Sequence, residues 1–213
     1  MSQANLSFLD LGQIEYSQAL SKQKEIWQKR VNEEIPDTLI FAEHPAVFTI
    51  GKHGKENNLL THFSLLKEKK IDLFRIERGG DITFHGPGQI VGYPIFKIRQ
   101  PLVGIKRFVN DFEQILINTL SKFGISASIK PGNIGVWVKD EKIASLGIAI
   151  AKRVSFHGFA LNVSTDLSYF NMINPCGNKK IKMTSMEKVL LKNVSMNLVK
   201  IEIERQFIKY FNF

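Results

Sequence analysis

Cys176 is the only cysteine among 213 residues, and it lies in the tetrad Asn174-Pro175-Cys176-Gly177. A thiol attacks carbonyl carbon as its thiolate, a form that a neighbouring cation or base favours. A lone cysteine is more often a small buried hydrophobe. Here proline before and glycine after predict a tight turn in a polar stretch, where the sulfur is open to a substrate. The candidate partner is Lys142, in the segment Val138-Lys139-Asp140-Glu141-Lys142-Ile143-Ala144-Ser145-Leu146-Gly147. A lysine at a turn-to-strand boundary is ordinarily a solvated surface residue. It gains a role only if its strand packs beside residues 174–177, and spacing along a chain carries no such distance.

A second chemical feature is RGGDITFHGPGQIVGYP, residues 78–94, which holds five glycines, an arginine and a histidine between apolar runs. Glycine is used where φ is positive or where another group approaches the backbone closely. The density of glycines predicts a groove lined by backbone, with a glycine-rich hairpin as the plainer alternative. No GK[ST] follows and G-x-G-x-x-G does not fit, so neither nucleotide loop is present. The histidines are His44, His53, His62, His85 and His157. None forms HExxH, and with one cysteine no structural zinc set is expected. His85 and His157 each precede a glycine at a predicted strand end, where an imidazole could line a pocket or cap a carbonyl.

These residues must be positioned by a core, and the composition supplies one. Hydrophobic residues make up 44% and charged residues 23%, which is ordinary for a globular chain. The length fits one domain, residues 1–213. No apolar run approaches the ~20 residues that span a bilayer. The first residues lack a basic stretch and include Asp10, unlike a signal peptide, so a cytoplasmic location is expected. One cysteine excludes an internal disulfide framework. The net charge of +9, with a pI near 9.6, suits an acidic partner or a merely solvated face. The basic residues are dispersed, as in Lys67, Lys69 and Lys70, in Arg99, Lys106 and Arg107, and in Lys179, Lys180 and Lys182. Without a charge run or stacking motif, an acidic protein fits better than nucleic acid.

Periodicity predicts a strand over 6–11 and an amphipathic helix over 15–34, with Tyr16, Leu20, Trp27 and Val31 on its apolar side. Strands follow at 38–41 and 47–50 around a His44-Pro45 turn, then a polar loop at 51–60 and a basic helix at 64–70. Strands follow at 73–76, 82–84 and 90–98, the last two flanking the glycine-rich turn. A long helix over 105–123 carries Phe108, Phe112, Leu116 and Phe123 and stops at Gly124. Four strands are expected at 125–129, 135–138, 143–151 and 155–163, then an irregular loop over 164–182 and a helix over 197–210. Strands clustered between few helices, without βαβ alternation, predict an α+β or mixed α/β fold.

Taken in order, RGGDITFHGPGQIVGYP, EKIASLGIAI, FHGFALNV and INPCG resemble the motifs of the lipoyl(octanoyl) transferases, and HPAVFTIGKHGKENNLL resembles that family's N-terminal signature. The resemblance runs from about residue 40 to 177. It implies the fold of biotin and lipoate protein ligases, a mixed sheet flanked by helices akin to a class II synthetase core. It implies Cys176 as acyl-accepting nucleophile and Lys142 as its base. By motif it places Arg78, Gly79, Gly80, Asp81, Ile82, Thr83, Phe84 and His85 along the acyl pocket, with Ser145, Leu146, Gly147, Gly158, Phe159 and Ala160.

The implied reaction moves octanoate from acyl carrier protein to a lysine of lipoyl domains, in 2-oxoacid dehydrogenase complexes and in glycine cleavage H protein. It proceeds through an acyl-enzyme and needs no cofactor or metal. Backbone N–H groups around Gly147 or Cys176 would hold the oxyanion, at ~3 kcal/mol per donor in other acyl transferases. Two other readings remain: an ATP-dependent lipoate or biotin ligase on the same fold, which has no need of a nucleophilic cysteine, and a non-enzymatic binder of an acidic partner, with salt-sensitive affinity independent of Cys176.

Overall fold

The computed structural model describes residues 6–98 and 101–211, with backbone alone for 101–105. Arg99, one of the basic residues noted above, lies outside the described residues, as do residues 1–5 of the N-terminal stretch.

The chain runs β1 (Leu6–Gln13), α1 (Tyr16–Val31), β2 (Asp37–Glu43), β3 (Val47–Ile50), α2 (Phe63–Glu68), β4 (Asp72–Arg75), β5 (Ile82–His85), β6 (Gln89–Ile95) and α3 (Pro101–Lys122). It continues through β7 (Ser128–Lys130), β8 (Asn133–Val138), β9 (Glu141–Ala151), β10 (Val154–Asn162), β11 (Lys182–Met183), α4 (Met186–Leu190) and α5 (Met196–Phe211). An eight-stranded sheet has the order β1-β2-β6-β10-β9-β8-β7, with β11 added beside β9. Its β1–β2 and β9–β11 pairs are parallel and the others antiparallel, so the sheet is mixed. A second sheet of three strands has the order β4-β3-β5. This is the mixed α+β arrangement expected from the strand pattern.

Alternation along the central strands sorts their side chains to two faces. Leu39 and Phe41 of β2, Ile90 of β6 and Phe159 and Leu161 of β10 pack under α3 and α5, against Phe112, Ile115, Leu116, Ile203 and Phe207. Ile40, Ala42, Val91, Tyr93, Ile95 and Ala160 point the other way and meet Ile26 of α1. The buried seam of α1 is Tyr16, Ala19, Gln23 and Ile26. Leu20, Trp27 and Val31, taken from sequence as its apolar side, are only partly buried at the flanks.

Three local outcomes depart from the sequence pattern. The strand expected at 125–129 is only β7, because the chain first turns back on α3. Gly124, at φ 79°, lets Ile125 N–H donate to Leu120 C=O at 3.0 Å, and Ile125 is buried there. The short helix α4 carried no apolar repeat long enough to be read. It is capped by Ser185, whose Oγ accepts from Lys188 N–H, and it buries Met186. The strands flanking the glycine-rich turn, β5 and β6, join different sheets. Gly88, at φ 78°, makes that corner against the backbone of Ser164, leaving no room for a Cβ. Among the described residues no helix is long and apolar enough to cross a membrane.

Candidate active site

The Asn-Pro-Cys-Gly segment forms a single 3₁₀ turn, Pro175–Gly177, with Cys176 at φ 55° and Gly177 at φ 73°. A left-handed conformation at a non-glycine residue is strained and persists only where its surroundings hold it. Several contacts do so here. Asn174 N–H donates to Asn58 C=O at 2.7 Å, and Leu60 N–H to Met172 C=O at 2.8 Å, so the polar 51–60 loop is laced to the cysteine loop. Asn58 Nδ2 donates to Asp81 Oδ2 at 2.7 Å, and Asn174 Nδ2 to Asn58 Oδ1 at 3.2 Å. Gly177 passes over the same carboxylate, where a Cβ would stand 2.7 Å from Asp81 Oδ2. The sulfur is left exposed.

Lys142 is 2% exposed, so it is not the solvated lysine that its position at a turn suggested. Its Nζ donates to Ile134 C=O at 2.6 Å and to Cys176 Sγ at 3.2 Å, and lies over the Trp137 ring. Gly135 opens the way for this reach, since a Cβ there would strike the lysine Cε.

From Cys176 a mostly apolar pocket runs between β5, β9, β10 and α1. Arg78, Gly80, Asp81, Ile82, Thr83, His85, Ser145, Leu146, Gly147, Gly158, Phe159 and Ala160 all line it. Gly79 and Lys142 face a neighbouring groove of about 430 Å³, which reaches Cys176 from the other side past Asn133, Ile134, Ile148 and Asn178. Phe84 is the exception. Alternate residues of a strand face opposite ways, and its ring lies in the small sheet's core, stacked on Tyr169 at 4.6 Å and touching Phe48 and Phe170.

The pocket is narrow because backbones approach closely. A Cβ on Gly147 would stand 2.8 Å from Gly79 C=O, and one on Gly158 would collide with Gly92 C=O. Arg78 is buried and makes no ion pair among the described residues. It donates to Thr49 C=O at 2.6 Å, to Thr49 Oγ1 at 3.0 Å and to Gly79 C=O at 3.0 Å. Burial pulls its pKa below the ordinary arginine value. His85 Nδ1 faces Gln89 Oε1 at 2.8 Å, so it carries the proton, while Gln89 Nε2 donates to Phe84 C=O and Asn162 Oδ1. Burial pushes the His85 pKa down to about 3, so the ring stays neutral. His44 donates from Nδ1 to Ile14 C=O at 2.8 Å and accepts from Tyr93 O–H at 2.7 Å, and burial lowers its pKa too.

Sequence reading passed over Tyr16 and Tyr93, which line the same pocket. Tyr16, expected on the helix's apolar side, stacks its ring on His85 at 6.1 Å. Tyr93 sits inside the glycine-rich motif but beyond the residues carried over from it. His157, weighed without a place in the set, also lines the wall, at φ 57° with Nε2 3.5 Å from Glu77 Oε2. Asn58 carried no signal beyond its place in the upstream motif. Among the described residues no group of three or more His, Cys, Asp or Glu is placed to hold a metal.

A mixed sheet with helices on both faces, as here, is the fold of the lipoate and biotin protein ligases. Lipoate-protein ligase A bound with ATP superposes with a TM-score of 0.77 at 15% identity, over 99% of this chain and 86% of that one. Biotin protein ligase from Aquifex aeolicus superposes at 0.55 and 11% identity, over 99% and 70%. The family model of the lipoyl protein ligase A/B catalytic domain matches residues 15–208. An octanoyltransferase of Alkaliphilus metalliredigens is 44% identical over 98% of this chain and 96% of its own. One from Dictyoglomus thermophilum is 48% identical over 94% and 84%. The chain belongs to the lipoyl protein ligase A/B family and, within it, to the octanoyltransferases: it is a transferase enzyme acting in lipoylation.

Proposed function

We propose that the enzyme takes an octanoyl group from acyl carrier protein onto Cys176 and passes it to the ε-amino group of a lysine on a lipoyl domain. The observation that carries this reading is the 3.2 Å contact between Lys142 Nζ and Cys176 Sγ, where the apolar pocket and the neighbouring groove meet. The pocket suits the acyl chain, and the groove suits the two arms that must reach the sulfur in turn.

Before the first step the thiol proton has passed to Lys142, which stands as an ammonium beside the thiolate, and the sulfur then attacks the thioester carbonyl. The tetrahedral intermediate collapses, the carbon–sulfur bond to the carrier breaks, and the carrier's sulfur takes the proton back from Lys142. One thioester replaces another, so little free energy is needed. In the second step the target lysine attacks as a free amine, gives its proton to Lys142, and expels the Cys176 thiolate, which is then reprotonated. Amide formation from a thioester runs downhill, and splitting the transfer in two lowers each barrier. Lipoyl domains of 2-oxoacid dehydrogenase complexes and glycine cleavage H protein are the acceptors this chemistry fits, and the same pocket takes a lipoyl chain. The site works in residues 1–213 as one catalytic domain, and the reaction suits the cytoplasm, where carrier and acceptors meet.

The test is intact-mass measurement after mixing with octanoyl-acyl carrier protein in the absence of ATP. The protein should gain one octanoyl mass at Cys176 and lose it on addition of a lipoyl domain. A requirement for ATP, with no mass gain, would return the ligase reading to first place.

A further inference from the structure

The peptide unit between Ile134 and Gly135 is held at both ends by side chains of opposite charge. Its carbonyl accepts from Lys142 Nζ at 2.6 Å, and its N–H donates to Oε1 of Glu113 at 2.7 Å. Glu113 projects from α3, is 5% exposed, and makes no ion pair among the described residues. A buried carboxyl is costly without full compensation. Burial raises its pKa, against the Gly135 N–H and the Lys142 charge, which both favour the carboxylate. The chain Glu113–peptide 134/135–Lys142–Cys176 is thus continuous from the helix to the sulfur.

We infer that Glu113 is a positioning residue for acyl transfer, acting on Lys142 through the Ile134–Gly135 peptide. Two physical reasons support this. Gly135 must lack a Cβ for Lys142 to pass, and its φ of 130° is open mainly to glycine. That freedom would let the neighbouring peptide rotate and swing its carbonyl away from the ammonium. The carboxylate pins the N–H and so aims the carbonyl. Hydrogen bonds in series also polarise one another, so a negative charge at the N–H end makes the carbonyl a stronger acceptor for Lys142. The arrangement parallels the carboxylate that orients the base in hydrolytic triads, with a peptide group in the middle.

This inference rests on the reading of Cys176 and Lys142 as the reacting pair, and the experiment separates the two. Alkylation of Cys176 by iodoacetamide is followed at neutral pH in the wild type, E113Q, K142A and E113Q/K142A. Glutamine keeps the size and an acceptor facing Gly135, so the variant changes charge more than shape. E113Q should slow alkylation about tenfold, the effect of one charge-assisted bond, and should have no further effect in the K142A background. Steady-state transfer by E113Q should lose kcat with KM unchanged. If E113Q alkylates as wild type, or slows the reaction equally in both backgrounds, Glu113 is only structural. If K142A itself leaves alkylation unchanged, the pair reading fails first. Should E113Q not fold, the Gly135 amide resonance is compared between the wild type and K142A. It should move upfield when the ammonium is lost, and an unmoved signal overturns the coupling.

Discussion

Met183 lies opposite Lys142 in the two-residue parallel ladder between β11 and β9, and Thr184 N–H donates to Lys142 C=O at 2.9 Å. This register carries the strand bearing the lysine alongside the end of the cysteine loop. It is the reason two side chains 34 residues apart meet at 3.2 Å. The small strand β11 also buries Met183 in the core of the small sheet, which anchors the pairing.

Replacing Cys176 by serine should abolish transfer while leaving the melting temperature unchanged, because the residue is exposed and serine is close to cysteine in size. A hydroxyl ionises far less readily than a thiol, and Lys142 does not make up the difference. Turnover should fall by more than about 10³-fold, as loss of a covalent nucleophile does in other acyl transferases. Unchanged turnover would exclude the acyl-enzyme.

Gly158→Ala should damage both stability and the pocket. Its new Cβ meets the backbone carbonyl of Gly92 on the adjoining strand, so β6 and β10 must separate. Overpacking of this kind costs about 1–3 kcal/mol, readable in a denaturant titration. Binding of an octanoyl thioester should weaken with it, because Gly158 is part of the pocket wall. A variant as stable as wild type would mean that the strands tolerate the change.

Acid should destabilise the fold through His85. Its folded-state pKa is depressed to about 3, against ~6.5 in the unfolded chain. Between those values the unfolded state binds more protons, so stability is full above pH 6.5 and falls as pH drops toward 3. By pH 5 the loss from this residue is about 2 kcal/mol. His157, lowered to about 4 by burial, acts in the same direction. Denaturant titrations from pH 7 to pH 4 should show a shallower decline in His85→Gln than in wild type. Parallel declines would refute the assignment.

Salt should act on encounter. Lys179, Lys180 and Lys182 follow the cysteine loop directly and are exposed, on a chain with net charge +9. Screening shortens electrostatic attraction from ~30 Å at 0.01 M salt to ~8 Å at physiological ionic strength. For octanoyl-acyl carrier protein, kcat/KM should therefore fall with added salt, whereas transfer from a small uncharged octanoyl thioester should hold steady. Equal responses from both substrates would show that the basic surface is merely solvated.

Residue order alone was enough for much of this protein. The apolar run at 38–41, the strand-like residues of 155–163 and the 3.6-residue stripe of α3 are local signals, and they became the core strands and helix they predicted. The glycines of 78–94 and the Pro-Cys-Gly turn were likewise legible, because φ and close approach are demands made on single residues. Four things were decided only when the chain folded: the burial of Lys142, the turning of Phe84 away from the pocket, the arrival of Tyr16, and the link from Glu113 through a peptide. Each depends on which strands or helices become neighbours and in what register. Hydrophobic patterning says which face of an element is buried, but leaves open what that face meets. The pairing of β11 with β9 is held by two residues with no pattern at all, yet it lays the strand bearing Lys142 beside the cysteine loop.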